Sequence, residues 1–450
     1  MHHPLEKLYW TGFTAWHGRR ESSFPFAPHE QQLRVQNRRV RSIVAFAYET
    51  VPFYREFMKR RRLRPSDFRT ATDLGQLPLL SGEDLSNNPG RFDSTAISND
   101  RTLEMDTSGS TGLYKKVRHD CRALFLARAG GHRARQVLSH FTGRSLGYRE
   151  VRVTRRGGTG PVVLAFYRAH SWVPSGVGLQ RAMVYCDDNF GDNIRVINET
   201  KPEVLGGFGS YIGGIYRYAR MHDIPIHRPK VISYGGDALL SPDRRIIEDE
   251  YGIPVISRYQ ACEALNIAWQ CERGEGFHIS TDQVALRIVD ASGKTQAPGT
   301  TGEVVISNLI NRGTILLNYR LGDLAQLSST ACRCGRTLPS LLQLDGRTED
   351  LILLHGGEAV HESELLSTLY AVPGAMQIQV TQYSLAKFLI RVVVSGNPET
   401  VRAGIAAAFL PLIGNPERIE LEVIVTDVIP QDKNGKFRSV ICHCNREIVR

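Results

Sequence analysis

The segment from residue 231 to residue 263 constrains the fold most strongly. It reads VISYGGDALLSPDRRIIEDEYGIPVISRYQACE. An apolar strand, Val231 to Tyr234, runs into a glycine turn, a helical stretch follows, and a second strand ends at Tyr259. Two strands joined through a helix form a βαβ unit with a parallel sheet. The carboxyl ends of such strands meet at one edge of the sheet, where open α/β sheets bind ligands.

Length and composition limit the class of protein. The chain has 450 residues, 42% hydrophobic and 23% charged, which is typical of a globular protein with two or three domains. The sequence shows no signal peptide and no apolar run of about 18 residues, so we expect a cytoplasmic protein without a membrane partner. The formal charge of +10 suits anionic partners. Part of it lies at Arg38, Arg39, Arg41 and Lys59 to Arg62, which we interpret as a solvated basic face.

A polar, glycine-rich loop precedes this unit. Residues 106–117 read DTSGSTGLYKKV, in which Thr107 to Gly112 are small or hydroxylated and Lys115 and Lys116 follow. Such a loop brings N–H groups and hydroxyls close to an anion while the lysines supply charge. It therefore predicts a phosphate-binding loop. The Walker A pattern is excluded, because the cation comes three residues after the second glycine and no Ser or Thr follows it. Taken alone, the stretch is also compatible with an ordinary solvent loop.

Further motifs follow the glycine loop in a fixed order. They are GGD at 235–237, YQACE at 259–263, YRLGD at 319–323, GRTED at 346–350 and NGK at 434–436. This order resembles that of adenylate-forming enzymes, the superfamily of acyl-coenzyme A synthetases, luciferases and nonribosomal adenylation domains. The phrases VPFYREF at 51–57 and LPLL at 77–80 are similar to the amino-terminal region of its phenylacetate-coenzyme A ligase branch.

The resemblance implies an α/β fold with two domains. Residues 1–345 would form a large amino-terminal domain of α/β subdomains and a small β-barrel, and residues 346–450 a small mobile α+β lid. The residue pattern agrees with this division. Short β-branched strands between 301 and 327 are typical of a small barrel, and apolar runs such as VVLAFY at 162–167 alternate with helical stretches as strands of an α/β domain would. After 346 the pattern predicts a helix, two strands, a helix and a strand.

The resemblance also implies roles for individual residues. Lys436 would be the adenylation lysine, Glu263 would hold the Mg²⁺ that bridges the phosphates of ATP, and Glu349 would be the hinge. The residues that would bind phosphate are Thr107, Ser108, Gly109, Ser110, Thr111, Gly112, Lys115 and Lys116. Those that would bind adenine and ribose are Gly235, Gly236, Asp237, Tyr259, Asp323 and Arg347. The chain departs from the family pattern at Tyr114, Gln260 and Cys262.

Four potential zinc ligands occur in two separated pieces of sequence. Cys271 and His278 lie in CERGEGFH, and Cys332 and Cys334 lie in CRCGR. Three thiolates and one imidazole make a closed tetrahedral set, and relatives of the phenylacetate ligases carry similar pairs. A disulfide framework is disfavoured in a cytoplasmic chain. We expect a structural Zn²⁺ that joins the two loops, because a closed set leaves no position for water.

The expected function is ATP-dependent activation of a carboxylic acid through an acyl-adenylate, followed by transfer to the thiol of coenzyme A. The resemblance implies an aromatic acid, with Ser210 and Tyr211 where relatives build part of the acyl pocket. The acceptor stays open, because HGGEAVH at 355–361 lacks the Asn, the Pro and the cation of coenzyme A-dependent relatives. A carrier-protein thiol or an amine is the alternative acceptor.

Two interpretations of other classes are kept. One is a catalytically silent relative that only binds ligand. The other is a basic, zinc-containing nucleic-acid binder, which conflicts with the ordered ATP motifs, and we expect no nucleic-acid partner. The sequence does not decide the oligomeric state, and a homodimer is left open.

Overall fold

The computed structural model of the chain describes residues 4–108, 114–172, 180–347, 351–355, 358–414, 419–431 and 437–444. In these residues no helix combines the length and the apolarity needed to cross a membrane. The α-helices are α1 (Pro4–Ser23), α2 (His29–Thr50), α3 (Pro52–Arg60), α4 (Gly82–Asn87), α5 (Cys121–Thr142), α6 (Thr159–His170), α7 (Phe190–Thr200), α8 (Gly209–Met221), α9 (Ser241–Arg245), α10 (Glu362–Leu369) and α11 (Pro398–Ile413).

The strands follow the same chain order. They are β1 (Thr102–Ser108), β2 (Tyr114–Asp120), β3 (Arg149–Thr154), β4 (Gln180–Tyr185), β5 (Val204–Gly207), β6 (Val231–Gly235), β7 (Val255–Ala261), β8 (Leu265–Gln270), β9 (Phe277–Ile279), β10 (Val284–Val289), β11 (Thr301–Asn308), β12 (Tyr319–Leu327), β13 (Ser340–Arg347), β14 (Leu351–Leu353), β15 (Ala359–His361), β16 (Ala375–Ser384), β17 (Lys387–Val394), β18 (Glu420–Val425) and β19 (Val440–Cys442).

Within the described residues, eleven strands form one sheet in the order β10-β11-β12-β13-β9-β8-β7-β6-β5-β3-β4. The strands from β3 to β7 are parallel to one another. The predicted strand–helix–strand unit is confirmed, since β6 and β7 are adjacent, parallel and joined through α9. The second strand reaches Ala261 rather than ending at Tyr259. The carboxyl ends of β5, β6 and β7 therefore meet at one edge, as the α/β fold class requires.

The apolar run at 162–167 was expected to be a strand, and this prediction is wrong. It lies within α6. A short apolar run suits a buried strand or a helix equally well, and here packing decides. The rings of Phe166 and Tyr167 lie 6.2 and 5.4 Å from that of Phe125 on α5, and the Tyr167 hydroxyl donates to the Leu124 carbonyl at 2.7 Å.

The strands expected to form a small barrel, β11 and β12, continue the large sheet together with β10, β13 and β9. In the part of the chain that the structure covers, these strands do not close on themselves. The register shifts between Glu303 and Val305 on β11 and twice along β12. Such irregularities bend a strand and increase its twist, so we expect the sheet to be curved at this end.

The carboxyl-terminal part has its own sheet and core. Its strands lie in the order β18-β17-β16-β19, and α10 and α11 pack on them. The predicted succession of helix, two strands, helix and strand is confirmed. The domain boundary at 346 stays a prediction, and β13 extends across this position. Arg217 of α8 contacts this part, because its Nη2 donates to Gln377 Oε1 at 2.8 Å while its Nη1 pairs with Asp243 at 2.8 Å.

One residue of the expected basic surface is not solvated. Arg39 lies in a buried group that we call the paired cluster, made of Glu21, Arg39, Arg133 and Asp282. Arg133 contacts Glu21 at 2.5 Å and Asp282 at 2.8 Å, and Arg39 contacts Asp282 at 3.3 Å. Buried carboxylates need such partners. The cluster thus fastens α1, α2 and α5 to the turn before β10, and Arg39 belongs to it rather than to a solvated face.

Candidate active site

The lysine after the glycine loop, the predicted magnesium ligand and a tyrosine meet at the carboxyl edge of the sheet. Lys115 Nζ lies 3.6 Å from Glu263 Oε1 and 3.3 Å from the Tyr319 hydroxyl oxygen. The Tyr319 hydroxyl donates to Glu263 Oε1 at 3.3 Å. Glu263 and Tyr319 are buried, so the carboxylate is held among polar partners at a site where a cation already approaches it.

The two consecutive lysines point to opposite sides of β2. Lys115 pairs with Thr107 in register and Lys116 with Asp106, and neighbouring residues of a strand face opposite ways. Lys115 therefore reaches Glu263, whereas Lys116 Nζ contacts Glu104 at 2.5 Å on an exposed surface. The structure brings only the first of the two predicted phosphate-binding lysines to this site.

The remaining phosphate-loop predictions fall partly outside the described residues. Gly109, Ser110, Thr111 and Gly112 lie outside them, as do the hinge Glu349 and the late Lys436. Thr107 and Ser108 are described as backbone of β1, where Ser108 pairs with Tyr114. The two strands that flank the loop, β1 and β2, therefore pair antiparallel up to the last described residue on each side.

Tyr259 and Asp323, predicted to contact adenine and ribose, are in direct contact. The Tyr259 hydroxyl donates to Asp323 Oδ2 at 2.5 Å. Asp323 on β12 pairs in register with Arg347 on β13, which brings the backbone of the third predicted residue beside them. A hydrogen bond to the carboxylate fixes its position, so the pair presents an aromatic face next to an oriented acceptor.

The predicted Gly235-Gly236-Asp237 turn is fastened to the start of α8. The Asp237 carboxylate accepts from the Gly209 N–H at 2.6 Å and from the Ser210 hydroxyl. A side chain at Gly236, with φ of +92°, would meet the Phe208 ring at 3.2 Å. The turn and the first residues of α8 therefore form one continuous wall beside Tyr259.

Of the two residues expected in the acyl pocket, only Ser210 lies at this wall. The Tyr211 hydroxyl accepts from Asn193 Nδ2 at 2.7 Å and donates to the Asp188 carbonyl at 2.9 Å. Its ring is buried in the core between α7 and α8. Tyr211 therefore has a packing environment, and the pocket proposed below does not include it.

The four predicted zinc ligands converge although they lie on separate loops. The ligand atoms of Cys271, His278, Cys332 and Cys334 all lie within 4.8 Å of one another. Cys271 Sγ is 3.7 Å from Cys332 Sγ, and Cys334 Sγ is 3.3 Å from His278 Nε2. Burial lowers the pKa of His278 to about 4, so its ring is neutral at pH 7, the form that binds metal. Distances of this size fit four donors around a single tetrahedral ion.

Comparison with known proteins supports the sequence resemblance. The chain is 26% identical over 364 residues, 77% of each chain, to a phenylacetate-coenzyme A ligase of Thermus thermophilus. It is 25% identical over 336 residues, 72% of each chain, to a phenylacetate-coenzyme A ligase of Escherichia coli. The structure of 2-hydroxyisobutyryl-coenzyme A ligase in the postadenylation state matches with a TM-score of 0.74 at 18% identity, over 94% of this chain and 92% of that one. No protein-family model matches.

The relatives and the solved structures support the resemblance to the adenylate-forming superfamily and, within it, to the phenylacetate-coenzyme A ligase-like branch. Two further residues lie at the site without a predicted role. Tyr319 was visible as the first residue of the YRLGD phrase, and the structure adds its contacts to Lys115 and Glu263. His119 carried no sequence signal. Its Nε2 lies 2.7 Å from the Cys262 carbonyl, and the ring holds the turn that carries Glu263 against β2.

Proposed function

We propose that the protein activates a carboxylic acid with ATP and transfers the acyl group from the resulting adenylate to the thiol of coenzyme A. The observation that carries the proposal is the meeting of Lys115 and Glu263 beside the Tyr259–Asp323 pair. A lysine, a buried carboxylate and an aromatic–carboxylate pair thus lie at one edge of the sheet, which supports an ATP site there. The phenylacetate-coenzyme A ligases among the relatives support an acid–thiol ligase that releases AMP.

The first step joins two anions, so positive charge has to gather at the site. A carboxylate oxygen of the acid attacks the α-phosphorus of ATP, a new O–P bond forms, and the bond to pyrophosphate breaks. Lys115 would neutralise the departing phosphates, and the Tyr319 hydroxyl donates to Glu263 and holds it in position. Glu263 offers a buried oxygen donor of the kind Mg²⁺ prefers, and the ion, when bound, would supply further positive charge to the phosphate oxygens.

Other members of the proposed site follow from the motif order. Lys436 would bridge the α-phosphate and the reacting carboxylate, and rotation near Glu349 would carry it away before thiolysis. Tyr259 would stack on adenine and Asp323 would accept from the ribose hydroxyls. These roles are carried over from the superfamily.

Coenzyme A is the proposed acceptor and a carrier-protein thiol or an amine the alternative. The relatives named as coenzyme A ligases favour the former. Within 355–361, Glu358 is exposed and would repel an anionic cofactor. Incubation with acid, ATP and either coenzyme A or hydroxylamine, followed by mass spectrometry, separates the acceptors. A hydroxamate without any thioester would remove coenzyme A from the proposal.

We further propose that Cys271, His278, Cys332 and Cys334 hold a structural Zn²⁺. The donor set and its spacing support this ion, and a closed set makes it a structural rather than a catalytic metal. Metal analysis of the purified protein should give one zinc per chain, and Cys332→Ser should lower both zinc content and melting temperature. A chain with no zinc and unchanged melting in that variant would contradict the proposal.

The decisive experiment is acid-dependent exchange of labelled pyrophosphate into ATP. Exchange should occur with at least one acid and should be lost in Lys436→Ala, whereas Lys294→Ala, an exposed lysine between β10 and β11, should retain it. Exchange that survives Lys436→Ala would remove that residue from the proposed site. ATP binding without exchange for any acid would instead favour the silent, ligand-binding alternative.

A further inference from the structure

One face of the parallel part of the sheet carries arginines that the proposed reaction does not use. Arg152 lies on β3, Arg181 on β4 and Arg258 on β7. Arg181 pairs in register with Glu150, and Arg152 pairs with Gly206 of β5. Residues paired in this way share a face of the sheet. These side chains therefore gather on the face that α5 covers, next to the edge where β6 and β7 end.

The single carboxylate of this group is already occupied. Arg181 donates to Glu150 Oε2 through Nε at 2.9 Å and Nη2 at 2.5 Å, and Arg152 Nη1 lies 3.3 Å from Glu150 Oε1. Against the effect of burial, Arg152 and Arg181 hold the pKa of Glu150 below its usual value. Glu150 is therefore ionised at neutral pH, and both of its oxygens already have a cation.

Arg258 is the member of this group for which the described residues supply no ion-pair partner. Among the described residues it forms no ion pair within 4.0 Å, and its buried Nε has no hydrogen-bond partner. Burial together with the charge of Arg152 lowers its pKa to about 10, so it stays charged at neutral pH. Three guanidinium groups thus face one carboxylate. An uncompensated buried charge is unfavourable, and the protein supplies no second anion here from its described residues.

Small residues line the sheet between these arginines. Toward the carboxyl ends of β5 and β6, the positions on this face are Gly206, Ser233 and Gly235. A Cβ at Gly206 would come within 3.2 Å of Glu150 Oε1, and one at Gly235 would come within 2.7 Å of the Arg258 carbonyl oxygen. A floor of small residues, closely approached by Glu150 and Arg258, therefore runs from Arg152 to Arg258 and continues into the turn at 235–237. We call Glu150, Arg152, Arg181 and Arg258 with this floor the arginine trough.

We propose that the arginine trough binds a second carboxylate at the far end of the acid substrate, so that the substrate is a dicarboxylic acid. One carboxylate would be adenylated at the edge of the sheet while the other pairs with Arg258, whose planar guanidinium suits two parallel hydrogen bonds to a carboxylate. The inference rests on the proposed function, because it assigns the substrate class of the same site.

The test compares dicarboxylates with their monomethyl esters in the full-length protein. Acid-dependent pyrophosphate exchange is measured for straight-chain diacids from malonate to suberate, for 4-carboxyphenylacetate, and for each corresponding ester or unsubstituted acid. At least one diacid should exceed its ester by about thirtyfold or more in kcat/KM, since a site built for a polar group rejects the analogue that lacks it. Arg258→Met should remove most of that preference and leave the ester rate within about threefold. Arg195→Met, which changes an exposed arginine, should keep the preference.

Two results would overturn the inference and leave the proposed function standing. One is exchange with uncharged acids that equals or exceeds exchange with every diacid. The other is a diacid preference that persists in Arg258→Met. Melting temperature and ATP binding of Arg258→Met, measured alongside, show whether the variant is folded, and Arg258→Gln replaces it if it is not.

Absence of exchange with every acid would count against the proposed function. In that case, the rise in melting temperature on adding a diacid tests separately whether the arginine trough binds a dicarboxylate. Protection by a diacid that its ester and inorganic phosphate do not give, and that Arg258→Met abolishes, would retain dicarboxylate binding. Equal protection by inorganic phosphate would identify a site for simple anions and overturn the dicarboxylate assignment. No protection by any diacid would overturn it as well.

Discussion

Two groups of arginines lie close to α5, and they differ in how their charge is compensated. In the paired cluster, each guanidinium has a carboxylate within 3.3 Å. In the arginine trough, two guanidiniums share Glu150, and Arg258 has no carboxylate within 4.0 Å among the described residues. Folding alone accounts for the first group, because its charges satisfy one another. The second is incomplete without an additional anion, and this is why we assign it to a ligand rather than to stability.

The largest effect should come from breaking the paired cluster. Arg133→Met leaves Glu21 without a described partner and Asp282 with Arg39 alone, so the free energy of unfolding should fall by about 3–5 kcal/mol. Urea denaturation of the variant measures this loss. Arg195→Met, which removes an exposed pair with Asp192, should change it by less than about 0.5 kcal/mol. Equal effects of the two substitutions would contradict the role given to the paired cluster.

A third pair of opposite charges, at the active site, should matter for rate rather than for stability. Lys115→Ala should lower the rate of pyrophosphate exchange by about 100-fold or more, because the proposed reaction uses Lys115 to neutralise the departing phosphates. Lys116→Ala should have an effect of only a few-fold, since that lysine contacts Glu104 on the surface. Comparable losses in the two variants would show that the orientation of β2 does not separate their roles.

Glu21 of the paired cluster and Glu150 of the arginine trough should respond to pH in opposite directions. Burial raises the pKa of Glu21 to about 7. Its contribution is therefore complete below pH 4.5 and is lost as pH rises through 7. The pKa of Glu150 is lowered by its arginines, so its contribution is complete above about pH 4.5 and is lost as pH falls through its folded pKa.

Stability measured from pH 3 to pH 8 checks these signs. Glu21→Gln should flatten the decline between pH 4.5 and 7, by about 1–3 kcal/mol. Glu150→Gln should instead flatten the rise with pH in the acid range. If both variants change stability over the same pH range, then Glu21 and Glu150 do not have pKa values shifted in opposite directions.

The smallest effect should be the most informative one. Arg258→Met should leave the free energy of unfolding unchanged or raise it by up to about 1 kcal/mol in the absence of substrate, because it removes a partly buried charge that has no ion-pair partner among the described residues. Thermal or urea denaturation of the ligand-free protein measures the change. A loss as large as that of Arg133→Met would mean that Arg258 is stabilised by the protein itself.

The sequence predicted those parts of the candidate site that are carried by local motifs. The phrases around Glu263, Asp323 and Lys115 were recognisable because each holds its chemistry within five or so residues, and the structure places all three at one edge. The spacing of Cys and His residues likewise predicted four groups that the structure brings within 4.8 Å of one another.

What the sequence could not provide depends on pairings between distant segments. Arg152, Arg181 and Arg258 are scattered among strands, and only the register of β3, β4 and β7 shows that they share a face. Tyr211 resembled a pocket residue until its hydroxyl was found in contact with α7. The apolar run in α6 was misassigned because packing against α5, and not local composition, selects its helical form.

The alternation along β2 bears on how freely the glycine loop could vary. Val117 and His119 lie on the same side of the strand as Lys115, and both are fully buried. These two buried residues follow Lys115 in the sequence and fix the register of β2, so the orientation of Lys115 does not depend on the glycine loop. Insertions or deletions within 109–113 would therefore change the reach of the loop without turning Lys115 away from Glu263. A slip of one residue at these two buried positions would replace it with Lys116.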